Sequence, residues 1–405
     1  MKDIEDKKTN YNLKIILPLV LLGLILTVFL ASMFFMDIFK KHTQKQTIDV
    51  QSEEVISINK SPSVCTNTEN LEVYTYKETP VLWEENNKFG LYIYAENRDF
   101  FEIAQNLVNS NGGDWGYVLI PYNVKDRDFD KWSRVFEQLR NKRLIPVIQL
   151  WDLDPEHYVE QTREAAYFLN QFIWPIKYKY ISVYNETNDA KFWRGRVDPE
   201  EYAIILDYTI RVFKEEHPDF FILNGAFNVS ASTNSTYMDS FEYMRRMNGE
   251  VSGIFDKLDG WASHPYPQPN FSGSPDAEGR WSIRSYEDEL EFLENELGLQ
   301  KELPVFITET GWAHAEGHIY NSSYYPVDTI SEYFKRAFEA VWLKDDRVRA
   351  VMPFTIRYKP PFDYFSWINE DNVPYNHYNV VKSIEKIEGQ PPVLEQENLI
   401  INSCD

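Results

Sequence analysis

Two glutamates that follow short apolar and aromatic runs are the strongest candidates for chemistry in this sequence. Glu186 follows the run 178–184, and Glu309 follows the run 303–307. Both runs are typical of buried strands, so each carboxyl stands at the C-terminal end of a strand. If the strands belong to one parallel barrel, the two carboxyls emerge on the face where barrel active sites are built. A pair of carboxyls facing across a cleft is what cleavage of a glycosidic bond requires.

Eight consecutive strand-and-helix units surround these glutamates. The strand-like segments are 89–94, 116–120, 144–150, 178–184, 220–225, 258–264, 303–307 and 348–354, and the helix-like segments are 100–108, 129–141, 162–173, 199–216, 237–247, 286–297, 330–343 and 375–387. The strands read as continuous apolar runs, which is typical of parallel strands covered on both faces. The pattern predicts an α/β fold, a (β/α)8 TIM barrel, with Glu186 after the fourth strand and Glu309 after the seventh.

A doubly wound open sheet is the alternative architecture. Such sheets usually carry a glycine-rich phosphate loop after the first strand. Here the first strand runs into Ala95-Glu96-Asn97-Arg98, which contains no glycine. The closed barrel is therefore favoured.

Over about residues 85–390 the chain resembles the clan A glycoside hydrolases and is similar to glycoside hydrolase families five and thirty-nine. Members of this clan carry an Asn-Glu pair after the fourth strand and a second Glu after the seventh, matched here by Asn185-Glu186 and Glu309. The resemblance implies that Glu186 is the acid/base and Glu309 the nucleophile of a retaining reaction. The clan usually has Pro after the acid/base, whereas this chain has Thr187, so the loop geometry there is in question.

The chemistry of a retaining glycosidase sets expectations for the two carboxyls. They should lie about 5 to 5.5 Å apart, one protonating the leaving oxygen while the other attacks the anomeric carbon. Glu186 is expected to keep its proton because the nearby charge of Glu309 disfavours a second ionisation. Asn185 is expected to donate to the sugar 2-hydroxyl. A single Glu at a strand end would more simply be a solvated surface carboxylate, but the paired positions favour catalysis.

Other candidate site residues also follow predicted strands. His264 and Tyr266 come after the sixth strand, where clan members often have a His or Tyr that contacts the nucleophile. A Tyr266 hydroxyl that donates to Glu309 would keep that carboxyl ionised. A histidine satisfied by backbone carbonyls at the barrel rim is an equal alternative for His264. Asp152, after the third strand, either binds a sugar hydroxyl or, more simply, caps a turn.

Several tryptophans stand just after predicted strands or in the loops above them. Sugar rings present C–H faces that pack on flat aromatic surfaces, so these tryptophans are candidates for substrate contacts. We predict that Trp312 and Trp367 are the principal sugar-stacking residues and that Trp151 also binds substrate. Packing in the core is the alternative for these side chains.

The N-terminal part of the chain differs in composition from the rest. Residues 15–36 contain no charged side chain, and about 20 such residues cross a bilayer. A cleaved signal peptide is the alternative, although its apolar region is usually only about 7 to 15 residues long. We predict a cytoplasmic segment 1–14, a transmembrane anchor 15–36, a polar tether 37–73 and a glycosidase domain 74–405 outside the cytoplasm at the cell membrane.

Composition limits the partners that this chain is expected to bind. With a formal net charge of −22, the chain is not expected to present the basic surface that binding to nucleic acid requires. The seven histidines are scattered, which gives metal catalysis little support, and no cofactor is expected. Cys65 and Cys404 flank the predicted domain and form either a disulfide bond or two unrelated thiols.

The expected function is that of a membrane-anchored retaining β-glycoside hydrolase acting on external poly- or oligosaccharides. The expected partners are therefore a carbohydrate substrate and the membrane. A non-catalytic carbohydrate-binding or scaffold protein on a glycosidase-like barrel is the alternative from another class.

Overall fold

The computed structural model describes residues 68–76 and 82–402, with side chains for 75–76 and 82–394. The predicted cytoplasmic segment, transmembrane anchor and both cysteines lie outside the described residues, so they stay predictions. No helix in the described part of the chain is long and apolar enough to span a bilayer.

Ten strands and eight α-helices make up the regular structure of the described residues. The strands are β1 Thr68–Tyr76, β2 Gly90–Tyr92, β3 Gly116–Asn123, β4 Leu144–Trp151, β5 Lys179–Val183, β6 Phe220–Asn224, β7 Trp261–Ser263, β8 Val305–Ile307, β9 Val348–Val351 and β10 Leu394–Asn402. The helices are α1 Arg98–Val108, α2 Phe129–Asn141, α3 Tyr158–Asn170, α4 Pro199–Glu216, α5 Ser240–Glu250, α6 Ser285–Asn295, α7 Val327–Ala337 and α8 Asn376–Ser383. Short 3-10 turns cover Pro155–His157, Ile254–Lys257 and Asp363–Phe365, and a π-helical turn over Phe338–Trp342 continues α7.

Strands β2 to β9 form a closed parallel ring. Strands β2 to β6 pair in chain order as one sheet, and β7 to β9 pair as a second. The parallel bridges Leu223↔Gly260 and Phe89↔Val351 join the two sheets at both seams. The prediction of eight consecutive strand-and-helix units is confirmed.

Alternate residues of the barrel strands pack into two separate cores. In β3, Val118 and Ile120 belong to the core between the strands and the surrounding helices, whereas Tyr117 and Leu119 belong to the barrel interior. Because both faces of each strand are buried, the strands carry apolar residues without polar alternation. The parallel ring thus follows from the apolar runs in the sequence.

Large aromatic side chains fill the barrel interior below the catalytic end. The rings of Tyr180 and Phe306 lie 5.0 Å apart, and those of Tyr180 and Phe221 lie 5.1 Å apart. Tyr117 contacts Phe306 edge-on at 6.3 Å and is fully buried. We call Tyr117, Tyr180, Phe221 and Phe306 the aromatic floor. A floor of this kind leaves the barrel packed rather than open, as is usual in this architecture.

A two-stranded antiparallel sheet outside the ring corrects one predicted boundary. Strand β1 pairs with β10 from Thr68↔Asn402 to Tyr76↔Leu394. Residues 68–73, which the sequence had suggested were part of the polar tether, are therefore a strand. The segment is recognisable only with its partner, which comes from the other end of the chain.

Candidate active site

A cleft of about 940 Å³ opens at the C-terminal ends of the barrel strands. Its lining includes Gln149, Trp151, Asp152, Asn185, Glu186, Lys191, Phe192, Arg194, His264, Tyr266, Glu309, Tyr358 and Phe362. A second cavity, of about 650 Å³, lies where strands begin and includes Asn109, Asp114 and Arg143 in its lining. Since barrel enzymes place their chemistry at the C-terminal ends of the strands, the first cleft is the candidate active site.

Glu186 stands in a strained turn directly after β5. Its backbone φ is 39°, in the left-handed region that non-glycine residues seldom adopt, and Tyr184 in the same turn has a φ of 72°. The Glu186 N–H donates to the Ala226 carbonyl at 2.9 Å, which anchors the turn to the chain after β6. The Glu186 side chain is 14% exposed, and its Oε1 accepts a hydrogen bond from His264 Nδ1 at 3.1 Å. The turn therefore aims the carboxyl into the cleft.

Glu309 lies two residues after β8 and is 9% exposed. Its Oε2 accepts a hydrogen bond from the Tyr266 hydroxyl at 3.0 Å. Burial raises the pKa of Glu309 to about 7, and the charge of Glu186 raises it too, while His264 and Tyr266 act in the opposite direction. Burial thus favours the protonated form of Glu309. The expectation that Glu186 keeps its proton stays a prediction.

His264 links the two carboxyls. Its Nδ1 lies 3.1 Å from Glu186 Oε1 and 3.9 Å from Glu309 Oε2. Burial lowers the pKa of His264, but the charges of Glu309 and Glu186 outweigh that effect and the pKa is raised. The alternative in which backbone carbonyls at the rim satisfy this ring is wrong for Nδ1. Its Nε2 has no hydrogen-bond partner among the described residues.

The position of His264 limits the separation of the two carboxyls. Because one nitrogen lies close to an oxygen of each carboxyl, the two oxygens are no further apart than the sum of its distances to them. That upper limit admits the separation of about 5 to 5.5 Å of a retaining reaction and also the lower end of the inverting range, from about 6.5 Å, so it does not choose between them. Both carboxyls line the same cleft, as the strand positions predicted.

Gln149 is a polar residue of the site that sequence reasoning missed. It lies in β4, is buried, and donates from Nε2 to Asn185 Oδ1 at 2.9 Å. Asn185 lines the cleft, and with its oxygen accepting from Gln149 its amide nitrogen has two hydrogens to donate. The signal in the sequence was a single amide in the otherwise apolar run Leu144–Trp151.

Trp151 and Asp152 both lie at the cleft, as predicted, but Asp152 has a different role from a turn cap. Trp151 is 49% exposed and lines the cleft. Asp152 forms ion pairs with Lys125 Nζ at 3.2 Å and with Arg194 Nη2 at 2.9 Å. It also accepts from Asn123 Nδ2 at 3.1 Å. Asp152 is therefore the centre of a charged cluster at the rim.

Trp312 and Trp367 do not line the cleft, which corrects the prediction that they stack on sugars. Both are 1% exposed and belong to the core between the strands and the helices. The Trp312 Nε1 donates to the Gly273 carbonyl at 2.7 Å, and its ring packs edge-on against Phe334 at 5.0 Å. Trp367 packs against the same phenylalanine at 4.9 Å. Their position after a strand is right, but their side chains face the helix layer.

No group of three or more His, Cys, Asp or Glu residues within 68–76 and 82–402 could hold a metal ion. The carboxyl pair, the imidazole near both of them and the tyrosine hydroxyl lie together in the cleft. This set can transfer a proton at one carboxyl while the other acts as a nucleophile.

Comparisons with known proteins give a likeness of fold. No protein-family model matches the sequence, and no curated protein is significantly similar to it. A glucosidase from Croceicoccus marinus superimposes with a TM-score of 0.53 at 10% identity, over 74% of this chain and 67% of the other. A GH128 (subgroup II) endo-β-1,3-glucanase from Pseudomonas viridiflava has a TM-score of 0.48 at 13% identity, over 74% of this chain and 98% of the other. The superposition on the glucosidase shows a shared barrel fold.

Proposed function

We propose that this protein is a retaining β-glycoside hydrolase that acts on poly- or oligosaccharides. The observation that carries the proposal is the pair Glu186 and Glu309, whose carboxyls both lie near one imidazole nitrogen in the cleft at the C-terminal ends of the barrel strands. The fold shared with a glucosidase supports it, since that fold is known to house this chemistry. A barrel that only binds carbohydrate has no need of such a pair.

In the first step, ionised Glu309 attacks the anomeric carbon as the bond to the leaving oxygen breaks. Glu186 gives its proton to that oxygen, and a covalent glycosyl-enzyme forms. In the second step, Glu186 takes a proton from water, and the resulting oxygen displaces Glu309 from the sugar. Two inversions at the anomeric carbon leave the product with the β configuration.

Three neighbours favour this division of roles. The Tyr266 hydroxyl donates to Glu309 and stabilises its charged form. His264 Nδ1 lies 3.1 Å from Glu186 Oε1, and the negative charges of Glu309 and Glu186 raise the pKa of its imidazole. A protonated ring favours the ionised form of Glu186, which is the form that takes a proton from water in the second step. Asn185 lines the cleft with its oxygen bound by Gln149, so its amide hydrogens are the donors that it can offer to a sugar hydroxyl. Substrate entry displaces water from the cleft, and the charges of the pair then depend on these neighbours.

We further propose that the uncharged run 15–36 anchors the protein in the cell membrane with the barrel outside the cytoplasm. The proposal is supported by the length and composition of that run alone. Extraction of the full-length protein by detergent but not by carbonate would support an anchor, and release by carbonate would contradict it.

The glycosidase proposal is tested with full-length protein against chromogenic β-glycosides and polysaccharides. Glu309→Ala is expected to abolish hydrolysis, and azide in the vacated space should yield an α-glycosyl azide. Glu186→Ala should still form the intermediate from an activated aryl glycoside, and azide should then yield the β-glycosyl azide. Glu302→Ala, at an exposed glutamate just before β8, is the matched control and should retain wild-type rates.

Two results would change the proposal. Opposite stereochemistry in the two variants would exchange the roles of Glu186 and Glu309. Wild-type hydrolysis that survives both substitutions at normal rates would show that the pair is not catalytic.

A further inference from the structure

Lys191 has an unusual environment for a lysine at a protein surface. It stands in the loop after β5 and lines the cleft. Its ammonium lies 4.9 Å from the centroid of the Phe192 ring and 5.1 Å from that of Phe362. Phe362 belongs to the loop after β9, so the cation is held between aromatic rings from two different loops.

The Lys191 ammonium forms no ion pair with any carboxylate that the structure describes, and no hydrogen bond of its own within those residues. Its nearest acid in sequence, Asp189, accepts instead from the Lys191 backbone N–H at 2.8 Å. The two phenylalanine rings have no hydrogen-bond acceptor to offer. The three N–H donors of the ammonium therefore remain open to a ligand.

The other charged side chains of the cleft have both signs. Asp152 is shared between Lys125 and Arg194, so these three side chains carry one net positive charge. Asp189, Glu186 and Glu309 also line the cleft and are acidic. Lys191 is therefore the cleft cation that no described carboxylate pairs within ion-pair distance.

Lys191 also acts on the reaction centre. Its positive charge is one of the influences that lower the pKa of Glu309, although burial of the carboxyl is the larger effect and raises it. Lys191 and Glu309 line the same cleft, so a sugar bound there has both groups in its surroundings.

We propose that Lys191 binds an anionic substituent of the substrate, the carboxylate of a uronic acid or a sulfate ester, while the exposed rings of Phe192, Phe362 and Tyr358 pack against the sugar. This inference rests on the proposed glycosidase function and adds its substrate class. Apolar walls with one unpaired cation match a ring that has C–H faces and one anionic group. A hydrogen bond from an ammonium to an anion is stronger than one between neutral groups.

The test uses full-length Glu309→Gln protein, in which bound oligosaccharide stays intact. Calorimetry compares β-1,4-linked gluco-oligosaccharides with the matched glucuronan oligosaccharides and with their 6-O-sulfated forms. An anionic member is expected to bind about tenfold more tightly than its neutral counterpart. Whichever anionic form binds more tightly identifies the substituent, and the preference should shrink at high salt because ions screen an exposed charge.

Substitutions at Lys191 assign the preference to this residue. Lys191→Met is expected to remove the tenfold preference, with less than about a threefold change for the neutral ligand, and Lys191→Arg should preserve it because the charge remains. Lys335→Met, at an exposed lysine of α7, is the matched control and should change neither affinity.

The inference is overturned if no anionic ligand is preferred, or if the preference survives Lys191→Met. Either result leaves the glycosidase proposal standing where neutral glycosides are hydrolysed in a Glu309-dependent manner. Conversely, Lys191-dependent binding of an anionic sugar without any hydrolysis by the wild type would overturn the glycosidase proposal and not the role of Lys191.

Discussion

The Tyr266 hydroxyl donates to Glu309 Oε2 at 3.0 Å, and the two residues follow neighbouring strands, β7 and β8. This bond opposes the effect of burial, which favours the protonated form of the same carboxyl. The same oxygen lies 3.9 Å from His264 Nδ1. Burial thus raises the pKa of Glu309, whereas the hydrogen bond from Tyr266 lowers it.

Tyr266→Phe removes only the hydroxyl. We expect kcat/KM to fall at least about tenfold, because a hydrogen bond to a charged group contributes about 1.5 to 3 kcal/mol. We also expect the acid limb of the pH profile to move to higher pH, since the ionised form of Glu309 loses a donor. Tyr167→Phe, at an exposed tyrosine of α3, is the control. A variant with wild-type rates and an unshifted limb would show that the bond is only structural.

The wild-type pH profile follows from the state of Glu309. A nucleophilic carboxyl must be ionised, and burial raises the pKa of Glu309 to about 7. Hence kcat/KM for an activated aryl glycoside should be low in acid and rise as the pH increases through about 7. The measurement is kcat/KM over about pH 5 to 9 at constant ionic strength. An acid limb of the kcat/KM profile near the ordinary pKa of a glutamate side chain would contradict the assignment of this limb to Glu309.

Gln149→Leu should release the side chain of Asn185. Because Gln149 holds the oxygen of that amide, its loss lets the amide rotate and weakens the contact with the sugar 2-hydroxyl. We expect a loss of about tenfold in kcat/KM for a β-glycoside and little change for its 2-deoxy analogue. Asn185→Ala should show the same selective pattern. Equal losses on both substrates would indicate general damage to β4.

Trp151 and Trp312 form a matched pair of substitutions with opposite outcomes. Trp312→Ala should lower the free energy of unfolding by about 3 to 5 kcal/mol, because it empties a buried site. Trp151→Ala should change stability by less than about 0.5 kcal/mol but weaken oligosaccharide binding. Denaturant unfolding and calorimetric titration separate the two effects. A stability loss at Trp151, with binding intact, would assign it to packing.

Glu289, on α6, is a buried carboxyl outside the cleft lining. Its Oε2 accepts from Trp261 Nε1 at 3.0 Å and from Ser263 Oγ at 2.6 Å, yet burial raises its pKa to about 7. The folded state therefore binds a proton that the unfolded state has lost between about pH 4.5 and 7, so the free energy of unfolding falls as pH rises through that window. Glu289→Gln removes the ionisation.

We expect Glu289→Gln to flatten part of this decline, so that the variant gains stability relative to the wild type as pH rises from about 5 to 8. In the variant, the free energy of unfolding should still fall somewhat as pH rises, because the pKa of Glu309 is also raised by burial. Denaturant unfolding at the two pH values measures the difference. A stability difference between variant and wild type that is independent of pH would show that Glu289 is neutral throughout.

Much of the fold was predictable because its signals are local. Helices α2 and α4 begin and end at the predicted residues, since Asp128 and Asp198 cap their first turns and Pro199 opens α4. The placement of Glu186 and Glu309 in one cleft was predictable because a residue that follows a parallel strand has only one end of the barrel to occupy. The number of strands then determined the positions of Glu186 and Glu309 in the ring.

What escaped prediction depends on contacts between distant segments. The orientation of Trp312 depends on which face of β8 continues into its loop, and spacing along the chain does not reveal that. Gln149 acquires its role from Asn185 on the next strand, and Lys191 from Phe362 in a distant loop. The raised pKa of Glu309 likewise depends on how deeply packing buries it.

The aromatic floor fills the barrel interior, and the cleft lies at the loop end of the barrel. In the proposed mechanism, the water that ends a catalytic cycle takes the place that the leaving group has vacated. A second sugar that occupies that place would accept the glycosyl group instead of water. Residues at the rim of the cleft, such as Trp151, would then influence the balance between hydrolysis and chain extension.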